Sequence, residues 1–270
     1  MKRRKRRKYE VIEGVQGALE RRQRFDVKTI AYGSGWTMPD KYYRYRQPWY
    51  ECALTGFWRG TLSLLAPVIL KLAYNARVEG RENLKALKGQ GAIALCNHIH
   101  YLDTLFIRQA VGHFNTFHTI APFNNKRGLG GHIIRHGGTW PLSSDIAAMR
   151  NLSVEMGRQL KRGRRVVFYP EQVMWWSYQK PRPRKEGAFH YAVKFGAPVL
   201  PVFCTFQKSK RGRMRQLRIH ILPAVYADGA LPKRACINAM REAAEREWQA
   251  CYEKAYGVPL QYQSVKKSED

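Results

Sequence analysis

Residues 91–106 read GAIALCNHIHYLDTLF. The apolar run Ala92–Cys96 predicts a short buried strand. It stops at Asn97-His98, and after a short turn Asp103-Thr104 opens an amphipathic segment that continues as a helix to about Val111. His98 and Asp103 therefore lie where a strand hands over to a helix, which is where open α/β folds place their ligand sites. The spacing His-x-x-x-x-Asp suits general-base chemistry: an imidazole takes a proton from an attacking hydroxyl while a carboxylate on its other nitrogen fixes the tautomer. Five residues along one helix would not put both groups on one face, so the turn is required. On this stretch alone the simpler reading stands ahead, with His98 a half-buried loop histidine and Asp103 a plain helix cap.

The rest of the chain alternates in the same way. Residues 76–84 predict a short strand and turn. Residues 117–121 predict a second parallel strand, and 166–169, 198–206 and 215–223 predict further strands, the last one partly exposed. PFNNKRGLGGHIIRHGGTWPLSSD reads as a glycine-rich connection holding Lys126, Arg127 and Arg135. Asp145 caps a helix whose apolar positions Ile146, Met149, Leu152, Met156 and Leu160 keep helical spacing. A final helix spans about 233–256 and ends at Gly257. The expected fold is α/β, a mostly parallel central sheet flanked by helices, with N-terminal amphipathic helices. The chain divides into a basic, aromatic-rich extension (1–48), a membrane-associating helical segment (49–76) and an α/β domain (77–270).

Charge sets the class of partner. The 270 residues hold 48 Lys and Arg against 20 Asp and Glu, a net charge of +28. Such a field favours nucleic acid, an anionic membrane surface or phosphorylated substrates. The five cysteines are scattered with no CxxC pair. They read as reduced structural thiols on the cytosolic side and argue against a zinc ribbon or disulfide scaffold, and no metal site is expected. Residues 2–8 are all Lys or Arg, with no long apolar region behind them, so the start does not read as a secretory signal. This tail is either a disordered arm or a contact with a membrane surface, where basic residues meet phosphates and Trp and Tyr sit at headgroup level. Residues 49–76 read as helical with Pro67 as a break. They are either a core helix or a helical hairpin dipping into one leaflet, and flanking Arg59 and Lys71 favour lying on a membrane over spanning it.

Four stretches occur in a telling order: Asn97-His98 with Asp103; GGTWPLSSD around Gly138; YPEQ with Glu171, followed by KEGAF at Lys185–Phe189; and APVLPV with Pro198 and Pro201. Over roughly 75–225 the chain resembles the glycerolipid acyltransferases, whose best-known members acylate lysophosphatidic acid and which show an NHxxxxD motif. The resemblance implies a membrane-associated O-acyltransferase. It implies His98 as the base, oriented by Asp103, and direct attack by the hydroxyl of a lysophospholipid acceptor on an acyl thioester. That donor is acyl-carrier protein or coenzyme A as co-substrate, with no other cofactor. It places Asn97, Gly138, Glu171, Lys185 and Gly187 in substrate binding, with the Gly137-Gly138 amides binding phosphate or stabilising the oxyanion, and it implies the cytoplasmic face of a membrane, peripheral or monotopic. Glu171 is otherwise a loop-bracing carboxylate.

Departures bear on the acceptor. His100 stands where the family often has Ser. Ser143-Ser144 occupy the place of the arginine that grips the acceptor phosphate. Where the family shows FPEGTRS, this chain reads YPEQVMWWS. Lys180, Arg182, Arg184 and Lys185 beyond Trp175-Trp176 either replace the missing phosphate ligands or form a solvated basic loop. An acceptor such as a glycolipid precursor is therefore an alternative. So is a nucleic-acid-binding protein, which the charge and interleaved aromatics permit. No zinc or RNP-type pattern supports that reading, and nucleic acid is not the expected partner. A catalytically dead adaptor runs against the intact His98, Asp103 and Glu171.

Overall fold

The computed structural model describes residues 49–262 except 122–123, 125–127, 144, 176–177 and 209–214. The basic extension, Lys126, Arg127, Ser144, Trp176 and most of the basic turn after residue 208 lie outside the described residues. In chain order the elements are α1 (Trp49–Tyr74), β1 (Arg77–Glu79), α2 (Arg81–Ala86), β2 (Ala92–Cys96), α3 (Asp103–Val111), β3 (Thr116–Ile120) and α4 (Gly128–His136). There follow β4 (Thr139–Pro141), α5 (Ile146–Lys161), β5 (Arg165–Phe168), α6 (Gly187–Phe195), β6 (Val199–Lys208), β7 (Arg215–Ile221) and α7 (Lys233–Tyr256).

The strands form one sheet in the order β1-β7-β6-β2-β5-β3-β4. Strands β6, β2, β5, β3 and β4 run parallel to one another, and β7 returns antiparallel to β6. The mostly parallel sheet expected from the sequence is therefore present. β2 is central and buried at every position, because helices cover both faces. Its side chains alternate. Ile93 and Leu95 point to a core formed by α5, α6 and α7 with Leu152, Met156, Phe189, Ile237, Met240 and Trp248. Ala92, Ala94 and Cys96 point to the other core, formed by α1 and α3 with Leu70, Phe106, Ile107 and Ala110. Asp145 caps α5 through a hydrogen bond from the Ala148 N–H (2.7 Å), as its position before an apolar helical run predicts.

Two sequence expectations are corrected. First, the stretch read as a glycine-rich connection contains α4 and β4. Its glycines give low intrinsic helix propensity, and tertiary contact overrides it. The His132 ring meets Trp58 edge-on at 6.1 Å, and His136 Nδ1 lies 3.2 Å from the Thr55 hydroxyl of α1. Second, Pro67 does not break α1, which runs through it for 26 residues. A proline inside a helix costs about 3 kcal/mol. Ala66 and Leu70 on either side are buried against the body, and that packing holds the two halves in line.

α1 is long and apolar enough to cross a membrane by length and composition. It is packed along the body through Arg59, Ala66 and Leu70, however, and its outer stripe is apolar: Phe57, Leu64, Val68 and Leu72 are 63%, 77%, 55% and 70% exposed.

Gly91 permits the approach of α5 to the start of β2. A Cβ there would lie 2.1 Å from the Leu160 carbonyl oxygen, a main-chain atom that cannot swing aside. Gly91→Ala is expected to destabilise the fold by about 1–3 kcal/mol, read as a lower midpoint in urea unfolding with an unchanged far-UV spectrum.

Candidate active site

His98 sits two residues beyond the end of β2, and Asp103 is the first residue of α3. Asn97 fixes where the strand stops. Its side chain accepts from the Cys204 N–H (2.8 Å) and donates to the Cys204 carbonyl (2.9 Å), pairing the end of β2 to β6. Asn97 is buried and both its polar ends are used, so in this structure it acts as a brace.

The Asp103 carboxylate gathers the turn. Its Oδ2 accepts from His98 Nδ1 (2.7 Å), the Ile99 N–H (2.8 Å) and the His100 N–H (3.0 Å). A carboxylate facing Nδ1 places the proton there and leaves Nε2 as the basic nitrogen. The His98 side chain is 26% exposed and Asp103 only 1%. Burial lifts Asp103 above the usual carboxylate range, while the bonds from His98 and the two amides pull it back. The result is an oriented imidazole with one nitrogen open to the surface and a buried partner behind it, the arrangement needed for a general base.

His100 does not compete for Asp103 through its ring. Its Nδ1 accepts from the Leu102 N–H (3.1 Å) and its Nε2 faces the Tyr74 hydroxyl at the end of α1 (3.1 Å). Behind His98 lies Tyr169, whose ring is 4.5 Å away by centroid. The Tyr169 hydroxyl stands 3.3 Å from Nδ1 of His118 on β3. Neither residue was singled out from the sequence. The signals were present: Tyr169 takes the place of the family's motif phenylalanine, and strand alternation puts His118 on the face shared by Thr116.

The loop after β5 also reaches His98. Glu171 is buried and accepts the His98 N–H at Oε2 (3.0 Å). Arg182 closes on the same carboxylate through Nη2 (2.7 Å) and Nε (3.1 Å). Arg184 lies 4.0 Å over the Trp248 ring and 3.2 Å from Glu245, and burial draws its guanidinium down to about 10. Both arginines are therefore engaged inside the protein. Glu171 takes the loop-bracing role. Lys185 keeps an exposed side chain, with its N–H on the Pro170 carbonyl (2.9 Å), and Gly187 opens α6.

Gly138 is placed elsewhere. It precedes β4, whereas His98 follows β2, and the two strands are parallel members of one sheet with β5 and β3 between them. The two residues thus lie toward opposite ends of the sheet. The Gly137 and Gly138 amides donate to Ile133 and Arg135 carbonyls, so they are not the phosphate or oxyanion site expected. Gly138 serves a packing need. Its φ is +80°, and a Cβ there would come within 3.2 Å of the guanidinium atoms of both Arg59 and Arg108. Those buried arginines, from α1 and α3, donate to the carbonyls of His113, Thr116 and Gly137. No group of three or more His, Cys, Asp or Glu suited to a metal ion occurs among the described residues.

The family model described as Acyltransferase matches residues 75–205, a span that holds β1, the His98 turn, β5 and Glu171. Residues 75–205 are an acyltransferase domain. Among solved structures, this acyltransferase is similar to the 1-acyl-sn-glycerophosphate (LPA) acyltransferase PlsC from Thermotoga maritima, with 18% identity, a TM-score of 0.52, and 90% of this chain and 96% of that chain covered. At that identity the likeness carries the fold. No curated protein matches the acyltransferase significantly.

His118 gives the enzyme a pH signature. Burial first, and then the Arg108 and Arg59 guanidiniums, hold it well below its usual 6.5. It is neutral when folded and takes a proton once unfolded, so its contribution to stability is present above about pH 6.5 and lost as pH falls below it. His113, His136 and His220 are lowered in the same direction. Unfolding free energy is expected to fall between about pH 7.5 and about pH 5.5, with a shallower slope in His118→Gln, as urea titrations at the two pH values would show.

Proposed function

We propose that this acyltransferase moves a fatty acyl group from an acyl thioester to the hydroxyl of a lysophospholipid at a membrane surface, with His98 as general base. The observation that carries this is the 2.7 Å contact of His98 Nδ1 with a buried Asp103, at the carboxyl end of the central parallel strand. Nε2 removes the proton from the acceptor hydroxyl as its oxygen attacks the thioester carbonyl. The C–O bond forms, the C–S bond breaks, and the proton passes to the leaving thiolate. Asp103 stabilises the imidazolium in between. The donor is acyl-carrier protein or coenzyme A, and no covalent acyl-enzyme is required. The glycerolipid acceptor class is supported by the motif order and by the fold shared with a lysophosphatidic acid acyltransferase. A glycolipid acceptor is a second reading, favoured by the internal engagement of Arg182 and Arg184.

The outer stripe of α1 supports the membrane location. Apolar side chains at this exposure, on a protein of net charge +28, fit a helix lying in the interface of an anionic bilayer. Because its inner side is packed on the body along its length, α1 can lie on such a surface but cannot cross it without drawing the body in.

Given a labelled acyl thioester and a panel of lysolipids and glycolipids, the wild-type chain is expected to yield a labelled ester. His98→Ala is expected to lower the rate by at least about 10³-fold with the fold retained. Activity within a few-fold of wild type would remove His98 from the role of base. The triple change Leu64→Ser, Val68→Ser and Leu72→Ser is expected to weaken sedimentation with anionic vesicles by at least about tenfold. Unchanged sedimentation would mean that α1 is not the docking element.

A further inference from the structure

The base is held twice. Asp103 fixes the imidazole from within its own turn, but a side-chain bond alone leaves the main chain of His98 free to shift. The main chain is fixed by the loop between β5 and α6. The His98 N–H donates to Glu171 Oε2 (3.0 Å). The His98 carbonyl accepts from the Trp175 N–H (2.9 Å) and from Arg182 Nη2 (3.2 Å). Arg182 binds Glu171 at the same time: Nη2 and Nε reach Oε2, and its own N–H reaches Oε1 at 2.9 Å. The guanidinium lies 4.6 Å over the Trp175 ring, which meets Tyr178 edge-on at 5.1 Å. The side chains of Arg182 and Glu171 are 6% and 1% exposed.

We propose that Arg182 is a positioning residue for catalysis, acting with Trp175 and through Glu171 to hold the peptide of His98 in register with its substrate. This rests on the assignment of His98 as base. A reacting nitrogen must be held to about half an ångström, and the shell behind it decides whether it is. A planar fork suits this place: Nη2 reaches both the carboxylate that grips the N–H side of His98 and the His98 carbonyl, and Nε adds a second bond to the carboxylate that fixes the plane of the group. A lysine at 182 keeps the charge but lacks the second nitrogen that sets the orientation of the group. Such a residue changes the rate of the chemical step and leaves the binding of acceptor and donor alone. A phosphate ligand would do the reverse.

The test measures kcat and KM for donor and acceptor in wild type, Arg182→Lys, Glu171→Gln, their double variant and Trp175→Ala, using whichever acceptor supports wild-type turnover, with thermal melts to confirm folding. Arg182→Lys is expected to lower kcat by about 10- to 100-fold while every KM stays within about twofold. The double variant is expected to lose little more than the worse single one, because the two side chains act as one brace. Trp175→Ala keeps the ion pair and its own main-chain bond to His98 and removes only the ring beneath the guanidinium. It is expected to lower kcat less, again at constant KM, and it carries the test if Arg182→Lys does not fold. An acceptor KM raised tenfold or more at unchanged kcat would make Arg182 a ligand and overturn the proposal. Wild-type kcat in Arg182→Lys, or additive losses in the double variant, would also overturn it. A wild-type chain inactive with every acceptor overturns the base assignment and this inference together, whereas an active wild type with an indifferent Arg182→Lys overturns this inference alone.

Discussion

The paired hydrogen bonds between the Asn97 side chain and the Cys204 peptide set the end of the central strand. A parallel strand buried on both faces has to stop somewhere with its polar groups satisfied. Asn97 solves this by imitating one more rung of the ladder with its amide. The chain then leaves the sheet at His98, on the side where β5 and β3 also end. Everything at the site depends on that stopping point. One residue further along, the imidazole would face the opposite layer.

The turn that follows is organised around charge in a dry place. One buried carboxylate oxygen of Asp103 takes a ring nitrogen and two amides. Another buried carboxylate, Glu171, approaches the same residue from a loop more than seventy positions away and is matched by a guanidinium of similar burial. Unpaired, either carboxylate would be costly. Paired, each fixes geometry. On the β3 and β4 side the same layer is filled by Arg59, Arg108 and His118. Among the described residues these arginines are held by main-chain carbonyls, and Gly138 makes room for them.

The sheet, the turn and the capped helix α5 were legible because each has a local cause: apolar runs of strand length, a turn between His98 and Asp103, and Asp145 before a periodic segment. α4 was not legible, because its glycines argue against a helix and only contact with α1 decides otherwise. The basic residues after Glu171 were ambiguous for a different reason. Arg182 and Arg184 have the composition of a phosphate loop, and only the folded chain shows that a carboxylate and an indole ring already occupy them. The same holds for Asn97, whose partner is more than a hundred residues distant, and for Gly138, whose place at the far end of the sheet follows from strand order and not from its motif.

Two of the hydrogen-bonded attachments of α1 lead to different parts of the body. Near its middle Arg59 reaches the carbonyls around the start of β3. At its end Tyr74 reaches His100, two residues beyond His98. A force applied to the outer stripe of this helix therefore has a load path of hydrogen bonds into the sheet on one side and into the His98 turn on the other. Helix and turn are parts of one lever and not a platform with a separate engine resting on it.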